Sequence, residues 1–372
     1  MLSVEIIVLL YFQVNNMSTK VNIKRCLRCG LPEVYPGIYF NANSICNYCI
    51  YADIYKERED IIKSELSIKF DRLIKKTKGK SRNYDCIVAY SGGKDSTFLL
   101  YYLKKRYGLN ILAHVLDNGF ISKIAKENIK RVTKTLQIDC CVTKPPTEVL
   151  TSVFSYALEE KIPYPKEILA LASQVCAVCI GMVLGTTLNK AIRLKIPLMF
   201  TGFTPGQYPA ISLENFFKVE SCMFLSDRVY RDDPLDVIKI FADPILEKFG
   251  TKIKRYFFRS QYIPTGLEVP KVLFPFHALL EYSEENIIKT ISKIGWIRPS
   301  DTDSCSTNCL LNTLGNFACI KQQGYHPYIG EMAYLVRKGL LSREEALQAE
   351  VMDINSKAMR FSLKKLGFKK YE

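Results

Sequence analysis

A short junction at residues 85–97 constrains the fold more than any other part of the sequence. An apolar run ends abruptly in Ser-Gly-Gly-Lys-Asp-Ser (residues 91–96, the 91–96 loop), and a helix-forming segment follows. A buried strand, a glycine turn and a helix N-terminus together make an anion site, because glycines let backbone N–H groups approach a phosphate and the helix dipole favours negative charge. The Lys94 charge and the Asp95 carboxylate, a suitable Mg²⁺ ligand, extend the predicted site.

Strand and helix patterns alternate beyond this junction and predict a parallel sheet. Three further apolar runs are interpreted as buried strands: 110–116, 138–142 and 196–201. Such alternation predicts an α/β fold with a doubly wound parallel sheet, whose ligands lie at the carboxyl ends of the strands. Two turns follow these strands, Asp117-Asn118-Gly119 and Thr201-Gly202, and are therefore predicted to lie at the same edge of the sheet as the 91–96 loop.

Four cysteines near the N-terminus have the spacing of a metal ribbon. Cys26-x-x-Cys29 and Cys46-x-x-Cys49 are separated by 16 residues, which is within the range of zinc ribbons. Each C-x-x-C pair forms a tight turn that directs two thiolates at one tetrahedral ion. We therefore predict a structural Zn²⁺, because a closed site of four cysteines leaves no open position for chemistry.

The 91–96 loop resembles the PP-loop of the ATP pyrophosphatase superfamily, whose members split ATP into AMP and pyrophosphate. The order of cysteine ribbon, loop and closing segment 336–346 resembles the N-acetyl sugar amidotransferase family of PP-loop proteins. This resemblance implies adenylation of a carbonyl or amide oxygen, followed by nitrogen transfer to an N-acetyl sugar in surface polysaccharide or flagellin glycan synthesis. A separate glutaminase subunit would supply the ammonia.

The same resemblance implies the residues of the nucleotide site. ATP and Mg²⁺ would bind the 91–96 loop, with Lys94, Asp95 and Ser96 as catalytic residues. The implied nucleotide contacts are Ser91, Gly92, Gly93, Lys94, Asp95, Ser96, Asp117, Asn118, Gly119, Thr201 and Gly202.

Because of a second group of cysteines, the sequence leaves open whether nitrogen or sulfur is transferred. Cys176-x-x-Cys179, just before a helical pattern, resembles the iron–sulfur cysteines of certain tRNA thiolases, which use three cysteines and leave one iron open to bind sulfide. Candidate third ligands are Cys222, Cys305 and Cys309. The alternatives are therefore a [4Fe-4S] cluster serving sulfur transfer to tRNA or a small molecule, two half-buried helix cysteines without a cluster, and a non-catalytic nucleotide-binding scaffold.

The net charge and the number of cysteines indicate which partners and which cellular compartment to expect. The net charge of +15 is typical of RNA-binding proteins, although the lysines are spread widely enough to be a solvated surface. Thirteen cysteines without a recognisable export signal indicate metal binding in a reducing compartment. We expect a cytoplasmic protein with no membrane partner.

The predicted layout has five parts. Residues 1–16 are expected to be an upstream mis-start or a leader, with a signal peptide or membrane anchor as the alternative. The remaining parts are a zinc ribbon at 17–52, a linker helix at 53–80, the ATP pyrophosphatase domain at 81–260 and a helical substrate region at 261–372.

Overall fold

A computed structural model describes most of the chain. The described residues are 23–54, 56–159, 162–204, 233–250, 253–257, 269–277, 282–351 and 356–368. The predicted leader at 1–16 and the candidate ligand Cys222 lie outside them.

Five parallel strands form the central sheet, which confirms the predicted α/β fold. Their order across the sheet is β3-β2-β1-β4-β5. The strands are β1 (Cys86–Ala89), β2 (Ile111–Leu116), β3 (Asp139–Thr143), β4 (Leu198–Thr201) and β5 (Lys271–Leu273). Strands β1, β2 and β4 are fully buried, as expected for the continuous apolar runs of a sheet covered on both faces.

The strand order reverses between β1 and β4, which are adjacent although three helical crossovers separate them in the chain. Cys86 pairs with Ile111 of β2 on one side and with Leu198 of β4 on the other. In open parallel sheets this switch point opens a crevice at the carboxyl ends of the strands, where ligands bind. The 91–96 loop follows β1 there, and Gly202 follows β4.

Helices surround the sheet and form the C-terminal region. They are α1 (Asn47–Ile54), α2 (Lys56–Thr77), α3 (Lys94–Tyr107), α4 (Lys123–Leu136), α5 (Thr147–Leu158), α6 (Lys166–Leu169), α7 (Gln174–Arg193), α8 (Asp233–Phe249), α9 (Glu284–Ser292), α10 (Asn312–Gln323), α11 (Ile329–Arg337), α12 (Arg343–Gln348) and α13 (Lys357–Lys365). Serine hydroxyls cap the N-termini of several of them, for example Ser122 before α4 and Ser173 before α7. Such caps satisfy backbone N–H groups that have no partner within the helix.

Helix α7 lies in the core of the fold. Among the residues that the structure describes, it is the one helix long and apolar enough to cross a membrane by length and composition. Its apolar window is 61% buried, and it packs against β1, β2, β4 and α8. Its hydrophobicity is therefore accounted for by packing within the fold.

The cysteine ribbon shares a second, smaller core with the C-terminal helices. Tyr35 from the ribbon packs edge-on against Tyr325, and both are buried together with Ile329 of α11. Arg25 pairs with Glu350 through two hydrogen bonds of 2.9 and 3.0 Å. The ribbon is consequently fixed against the helices that close one side of the crevice.

Candidate active site

The 91–96 loop has the backbone geometry of an anion cradle. Gly92 has φ +79°, and a Cβ at this position would lie 2.9 Å from the Ala125 carbonyl oxygen. Gly93 is the N-cap residue of α3, so the first N–H groups of the helix point towards the crevice. The Ser91 and Ser96 hydroxyl oxygens lie 3.1 Å apart. Only glycine permits both the positive φ and the close contact at position 92.

Lys94 is held at the mouth of this cradle by a network of side chains. Its Nζ donates hydrogen bonds to Asp95 at 2.9 Å and to the Tyr282 hydroxyl at 2.8 Å, and Glu284 lies at 3.9 Å. Burial disfavours the ammonium charge, but Asp95, Tyr282, Glu331 and Glu284 outweigh it and raise the pKa of Lys94. Lys94 therefore carries a positive charge at neutral pH.

Asp95 is the acidic partner in this network. Burial is the largest influence on Asp95 and raises its pKa above the usual value, although the charge and hydrogen bonds of Lys94 act in the opposite direction. An ammonium can contact phosphate oxygens and a carboxylate can bind Mg²⁺, and these roles of Lys94 and Asp95 stay a prediction.

The turn after β4 fits closely against the start of α3. A Cβ at Gly202 would lie 3.0 Å from the Ser96 Cα and 3.1 Å from its backbone nitrogen. Beside it, the Thr201 hydroxyl is buried and has no hydrogen-bond partner within the described part of the chain. Thr201 and Gly202 both line the crevice. A buried hydroxyl without a partner among the described residues therefore lies next to the 91–96 loop.

Only one residue of the Asp117-Asn118-Gly119 turn lines the cavity, and that residue is Asn118. Asp117 accepts a hydrogen bond from the Gly119 N–H at 3.0 Å and forms a 3.0 Å ion pair with Lys126. The carbonyl oxygen of Gly119 accepts a hydrogen bond from Lys365. The structure thus places Asp117 and Gly119, like Gly92, outside the cavity lining, and uses their polar groups to hold the turn.

A cavity of about 470 Å³ extends from the 91–96 loop to the second group of cysteines. Cys176 and Cys179 project from the first two turns of α7, and Cys305 and Cys309 come from the segment before α10; all four line the cavity. The Asn118 amide nitrogen lies 3.4 Å from the Cys179 sulfur and 3.8 Å from the Cys309 sulfur. The fold therefore brings cysteines from two distant parts of the chain to the cavity that the 91–96 loop also lines.

The segment 303–309 (the 303–309 loop) carries Cys305 and Cys309 over the cradle. Asp303 accepts hydrogen bonds from the N–H groups of Cys305 and Ser306 at 2.9 and 2.8 Å. It also accepts hydrogen bonds from the side chains of Asn312 and Thr313. Because one half-buried carboxylate joins these groups, the loop has a defined shape although it contains no helix or strand.

The cavity cysteines are protonated thiols in the absence of a cation. Burial raises the pKa of Cys176 and of Cys305 to about 12, and it also raises the pKa of Cys179 and Cys309. Ligation to a metal removes the thiol proton. Within the described residues these sulfur atoms do not meet at single-ion spacing, but the cysteines of a cluster bind separate iron atoms.

The N-terminal cysteines, unlike those of the cavity, lie close enough together to bind a single ion. The sulfur atoms of Cys26, Cys29, Cys46 and Cys49 are all buried and lie within 4.8 Å of one another. Cys26 and Cys49 are 3.8 Å apart, and Cys29 and Cys46 are 3.6 Å apart. Ligands at ~2.3 Å from a tetrahedral ion stand roughly 3.8 Å apart. The spacing of the four sulfur atoms therefore fits one tetrahedral cation.

Several cavity residues carried no signal in the sequence. Tyr282 and Thr307 contact Lys94 across 188 and 213 positions, and Glu331 lies in the first turn of α11. The Thr307 hydroxyl accepts a hydrogen bond from the Lys94 backbone N–H, so the polar segment 301–309 lies against the 91–96 loop. Tyr282 and Glu331 sit in ordinary helix-forming surroundings, so only tertiary structure identifies them.

Comparison with known proteins gives distant likenesses. No protein-family model matches the chain. An uncharacterized protein, MJ1599 of Methanocaldococcus jannaschii, is 23% identical over 310 residues, covering 83% of this chain and 86% of that protein. The solved structure of the U34-tRNA thiolase NcsA from Methanococcus maripaludis with its [4Fe-4S] cluster is 15% identical, covers 89% of this chain and 90% of its own, and aligns with a TM-score of 0.34. Likenesses at this distance leave the family unassigned, so function has to be argued from the site.

Proposed function

We propose that the protein is an ATP-dependent sulfurtransferase that adenylates a carbonyl oxygen and replaces it with sulfur. One observation carries this proposal: the 91–96 loop and the sulfur atoms of Cys176, Cys179 and Cys309 open into the same cavity. A nucleotide-activated carbon and a sulfur donor have to meet, and a shared cavity allows this without a second active site.

The residues of the cradle have direct roles in the adenylation half-reaction. Backbone N–H groups at the start of α3 and the ammonium of Lys94 would bind the β- and γ-phosphates and stabilise the charge of the leaving pyrophosphate. Asp95 would exchange its hydrogen bond with Lys94 for Mg²⁺ when the metal–nucleotide complex enters. The acceptor oxygen attacks the α-phosphorus, the bond to the bridging oxygen breaks, and pyrophosphate leaves.

Cys176, Cys179 and Cys309 would hold a [4Fe-4S] cluster. A cluster with three protein ligands supplies one iron that is free to bind sulfide. Asn118 lies beside two of the three sulfurs and would donate a hydrogen bond to them, which is the kind of contact that tunes such centres. Cys305 stays outside this set because its sulfur is engaged with the Ala349 carbonyl oxygen at 3.8 Å.

We propose tRNA as the acceptor. The net charge of +15 favours a polyanionic partner, and uracil offers a ring carbonyl that can be adenylated. A cytoplasmic location is part of this proposal, because ATP and tRNA meet there. For the ribbon we propose one Zn²⁺, on the 3.6 and 3.8 Å sulfur spacing.

Amidotransfer to an N-acetyl sugar shares the first half-reaction. Nitrogen transfer would leave the cysteines of the cavity without a chemical role, and this favours sulfur transfer. A direct comparison is the same ATP assay with an N-acetyl sugar and a glutaminase in place of tRNA and sulfide. Turnover in that assay, without turnover on tRNA, would replace the proposed function.

Anaerobic purification and reconstitution test the proposal. We expect the visible charge-transfer absorption of a cluster, with about four iron atoms per chain. Incubation with ATP, sulfide and unfractionated tRNA should give AMP, pyrophosphate and a thiolated nucleoside detectable by mass spectrometry. Cys176→Ala should lose iron and thiolation, whereas Cys140→Ala, on the exposed edge strand, should keep both. ADP and phosphate as products, or a colourless wild-type protein that thiolates tRNA, would contradict the proposal.

A further inference from the structure

Helix α13 presents a basic face to solvent. Its sequence, Lys-Ala-Met-Arg-Phe-Ser-Leu-Lys-Lys, contains four basic residues and no acidic one. Lys357, Arg360 and Phe361 are exposed and lie at the spacing of neighbours on one helix face. Met359 and Leu363 on the opposite face are buried in the main core. The helix is therefore held by its apolar face, and the charges that it exposes are all positive.

Two lysines from other elements extend this face. Lys126 of α4 and Lys144, the residue after β3, are both exposed. Burial lowers the pKa of Lys365 on α13, and the charges of Lys126 and Lys144 lower it further. Asp117, which pairs with Lys126 at 3.0 Å, acts in the opposite direction. The combined set is called the basic surface: Lys126, Lys144, Lys357, Arg360 and Lys365.

The acidic residues near the basic surface do not neutralise it. Asp117 offsets the charge of Lys126. Glu127 is the one acidic residue of α4, and Glu148 lies in the first turn of α5. Three more exposed lysines of α4 stand against these two carboxylates: Lys123, Lys130 and Lys134. The fold thus collects into one region lysines that are widely spread in the sequence, and such a region attracts polyanions and speeds their approach.

The basic surface lies at the same edge of the sheet as the 91–96 loop. Strands β1, β2 and β3 are adjacent and parallel, so their carboxyl ends share one edge. The 91–96 loop follows β1, the turn with Asp117 follows β2, and Lys144 follows β3. A ligand on the basic surface therefore binds at the edge of the sheet that also carries the cradle.

Helix α13 is also bonded directly to two segments of the cavity wall. The Ser362 hydroxyl donates a hydrogen bond of 2.9 Å to the Leu310 carbonyl oxygen, one residue after Cys309. A lysine of the same helix donates to the Gly119 carbonyl oxygen, one residue after Asn118. Cys309 and Asn118 both line the cavity. A strand held on α13 is therefore held next to that wall.

RNA is the polyanion that fits these features. Exposed lysine and arginine side chains on neighbouring elements can contact successive backbone phosphates. Phe361, which is 44% exposed among them, offers aromatic surface on which an unpaired base can stack. A membrane surface would require an apolar helix face that is free to insert. The apolar face of α13 is instead buried within the fold: Ala358, Met359 and Leu363.

We propose that the basic surface binds the phosphate backbone of an RNA while the base to be modified enters the cavity. Contacts to phosphates position a strand without reading its sequence, so the choice of base is left to the cavity. The inference rests on the proposed function for the identity of this RNA as tRNA. The binding itself needs neither ATP nor the sulfur donor.

The test measures the affinity of the full chain for fluorescently labelled, unfractionated tRNA at several salt concentrations without ATP. The double variant Lys357→Gln/Arg360→Gln removes two exposed charges and leaves the buried face of α13 intact. We expect it to bind about tenfold more weakly, and the slope of log affinity against log salt to become shallower by about one to two. An unchanged midpoint of thermal unfolding will show that the variant is folded.

The matched control is Lys75→Gln/Lys76→Gln. It removes the same amount of charge from two exposed residues in the last turn of α2. That end of α2 lies at the amino end of β1, because the Gly79 N–H donates a hydrogen bond to Asp85, the residue before the strand. The control should bind tRNA as wild type does. Equal losses in the two double variants would show that only net charge matters and would overturn the basic surface.

The remaining outcomes separate this inference from the proposed function. If Lys357→Gln/Arg360→Gln binds tRNA like a wild type that thiolates it, the basic surface is wrong and the function stands. If binding is lost in the double variant but the wild type with bound tRNA forms no AMP from ATP, the function is wrong and the surface stands. A wild type that does not bind tRNA overturns both. Vesicles of phosphatidylglycerol and phosphatidylcholine test the other polyanion: loss of vesicle binding in the double variant, with unchanged tRNA affinity, would assign the surface to lipid.

Discussion

The backbone N–H of Lys94 donates a hydrogen bond of 3.0 Å to the hydroxyl of Thr307. The N–H group belongs to the first residue of α3, where a phosphate would bind, and the hydroxyl belongs to the 303–309 loop that carries Cys305 and Cys309. A Cβ at Gly93 would lie 3.1 Å from the same hydroxyl oxygen. The 303–309 loop therefore occupies a donor of the anion cradle, and under the proposed function a nucleotide has to displace it.

Replacement of Thr307 by alanine should tighten ATP binding. The hydroxyl competes with phosphate for the Lys94 N–H, and a neutral hydrogen bond contributes about 0.5–1.5 kcal/mol. We expect the dissociation constant of ATP, measured by isothermal titration calorimetry, to fall by about threefold to tenfold. Thr307→Ser keeps the hydroxyl and should bind as wild type does. Weaker binding by the alanine variant would show that Thr307 contacts the nucleotide.

Loss of the Lys94 ammonium should abolish turnover with little effect on folding. Removal of one preorganised charge-stabilising group typically costs about 100- to 1,000-fold in rate, and we expect Lys94→Met to lower AMP formation by this amount. The matched control is Lys105→Met, an exposed lysine near the end of the same helix. Chromatography of the nucleotide products measures both. A Lys94→Met variant with wild-type turnover would remove the loop from the reaction.

The Thr201 hydroxyl should lower the free energy of unfolding of the nucleotide-free protein. When ATP binds, the same hydroxyl should strengthen the binding. It is buried without a hydrogen-bond partner among the described residues, and an unsatisfied buried polar group costs about 1–3 kcal/mol. We expect Thr201→Val to raise the free energy of unfolding by about 1 kcal/mol and to weaken ATP binding, as measured by urea denaturation and calorimetry.

A contrasting control is Thr187→Val. The Thr187 hydroxyl lies 2.8 Å from His114 Nδ1 and donates to the Val183 carbonyl oxygen, so its loss should lower the free energy of unfolding. If Thr201→Val is destabilising as well, its hydroxyl has a partner and is not reserved for a ligand.

The parts of the site that sequence could predict are those specified by neighbouring residues. The strand, glycine turn and helix at 86–107 form a continuous local pattern, and the C-x-x-C spacing specifies a knuckle wherever it occurs. The Asp117 side chain shows the limit of such patterns. Asp-Asn-Gly predicts a turn, but the turn does not determine which side chain faces the cavity; Asn118 lines it, and Asp117 pairs with Lys126.

The contacts that sequence could not predict depend on long-range packing. Thr307 reaches Lys94 from 213 positions away, and Thr204 reaches Glu331 from 127 positions away. A glutamate in the first turn of a helix is common because it favours the helix dipole. Burial distinguishes Glu331 from other such residues, and burial arises only when α11 packs across the crevice.

Removal of metal from the ribbon should loosen the C-terminal helices as well. Arg343 of α12 donates a hydrogen bond to the Cys26 carbonyl oxygen at 3.3 Å, and Arg25 pairs with Glu350. Because metal binding supplies the folding energy of such small modules, we expect Cys49→Ser to lose one zinc per chain and to increase hydrogen exchange in both the ribbon and α12. Elemental analysis and exchange mass spectrometry check this. Retained zinc in Cys49→Ser, or unchanged exchange in α12, would contradict the coupling.

The buried histidine of β2 should make stability depend on pH in a defined window. His114 is 1% exposed, and its two ring nitrogens lie 2.8 Å from the hydroxyls of Thr187 and Thr143. Burial, with a smaller effect of the Lys190 charge, lowers its pKa from 6.5 to about 4. Between these values the unfolded chain binds the proton and the folded chain does not, so the free energy of unfolding falls as the pH is lowered.

His114 should lower the free energy of unfolding by at most about 3 kcal/mol. This decrease begins below the unfolded pKa of about 6.5 and reaches its full size near pH 4. Urea denaturation of wild type and His114→Gln at several pH values between these limits measures the difference, and protonation of the ribbon cysteines cancels because both proteins contain them. We expect the variant to be the less stable protein at pH 7, because it loses the fit to two threonine hydroxyls, and the gap to narrow towards pH 4. A gap that stays constant would show that His114 titrates alike in the folded and unfolded states.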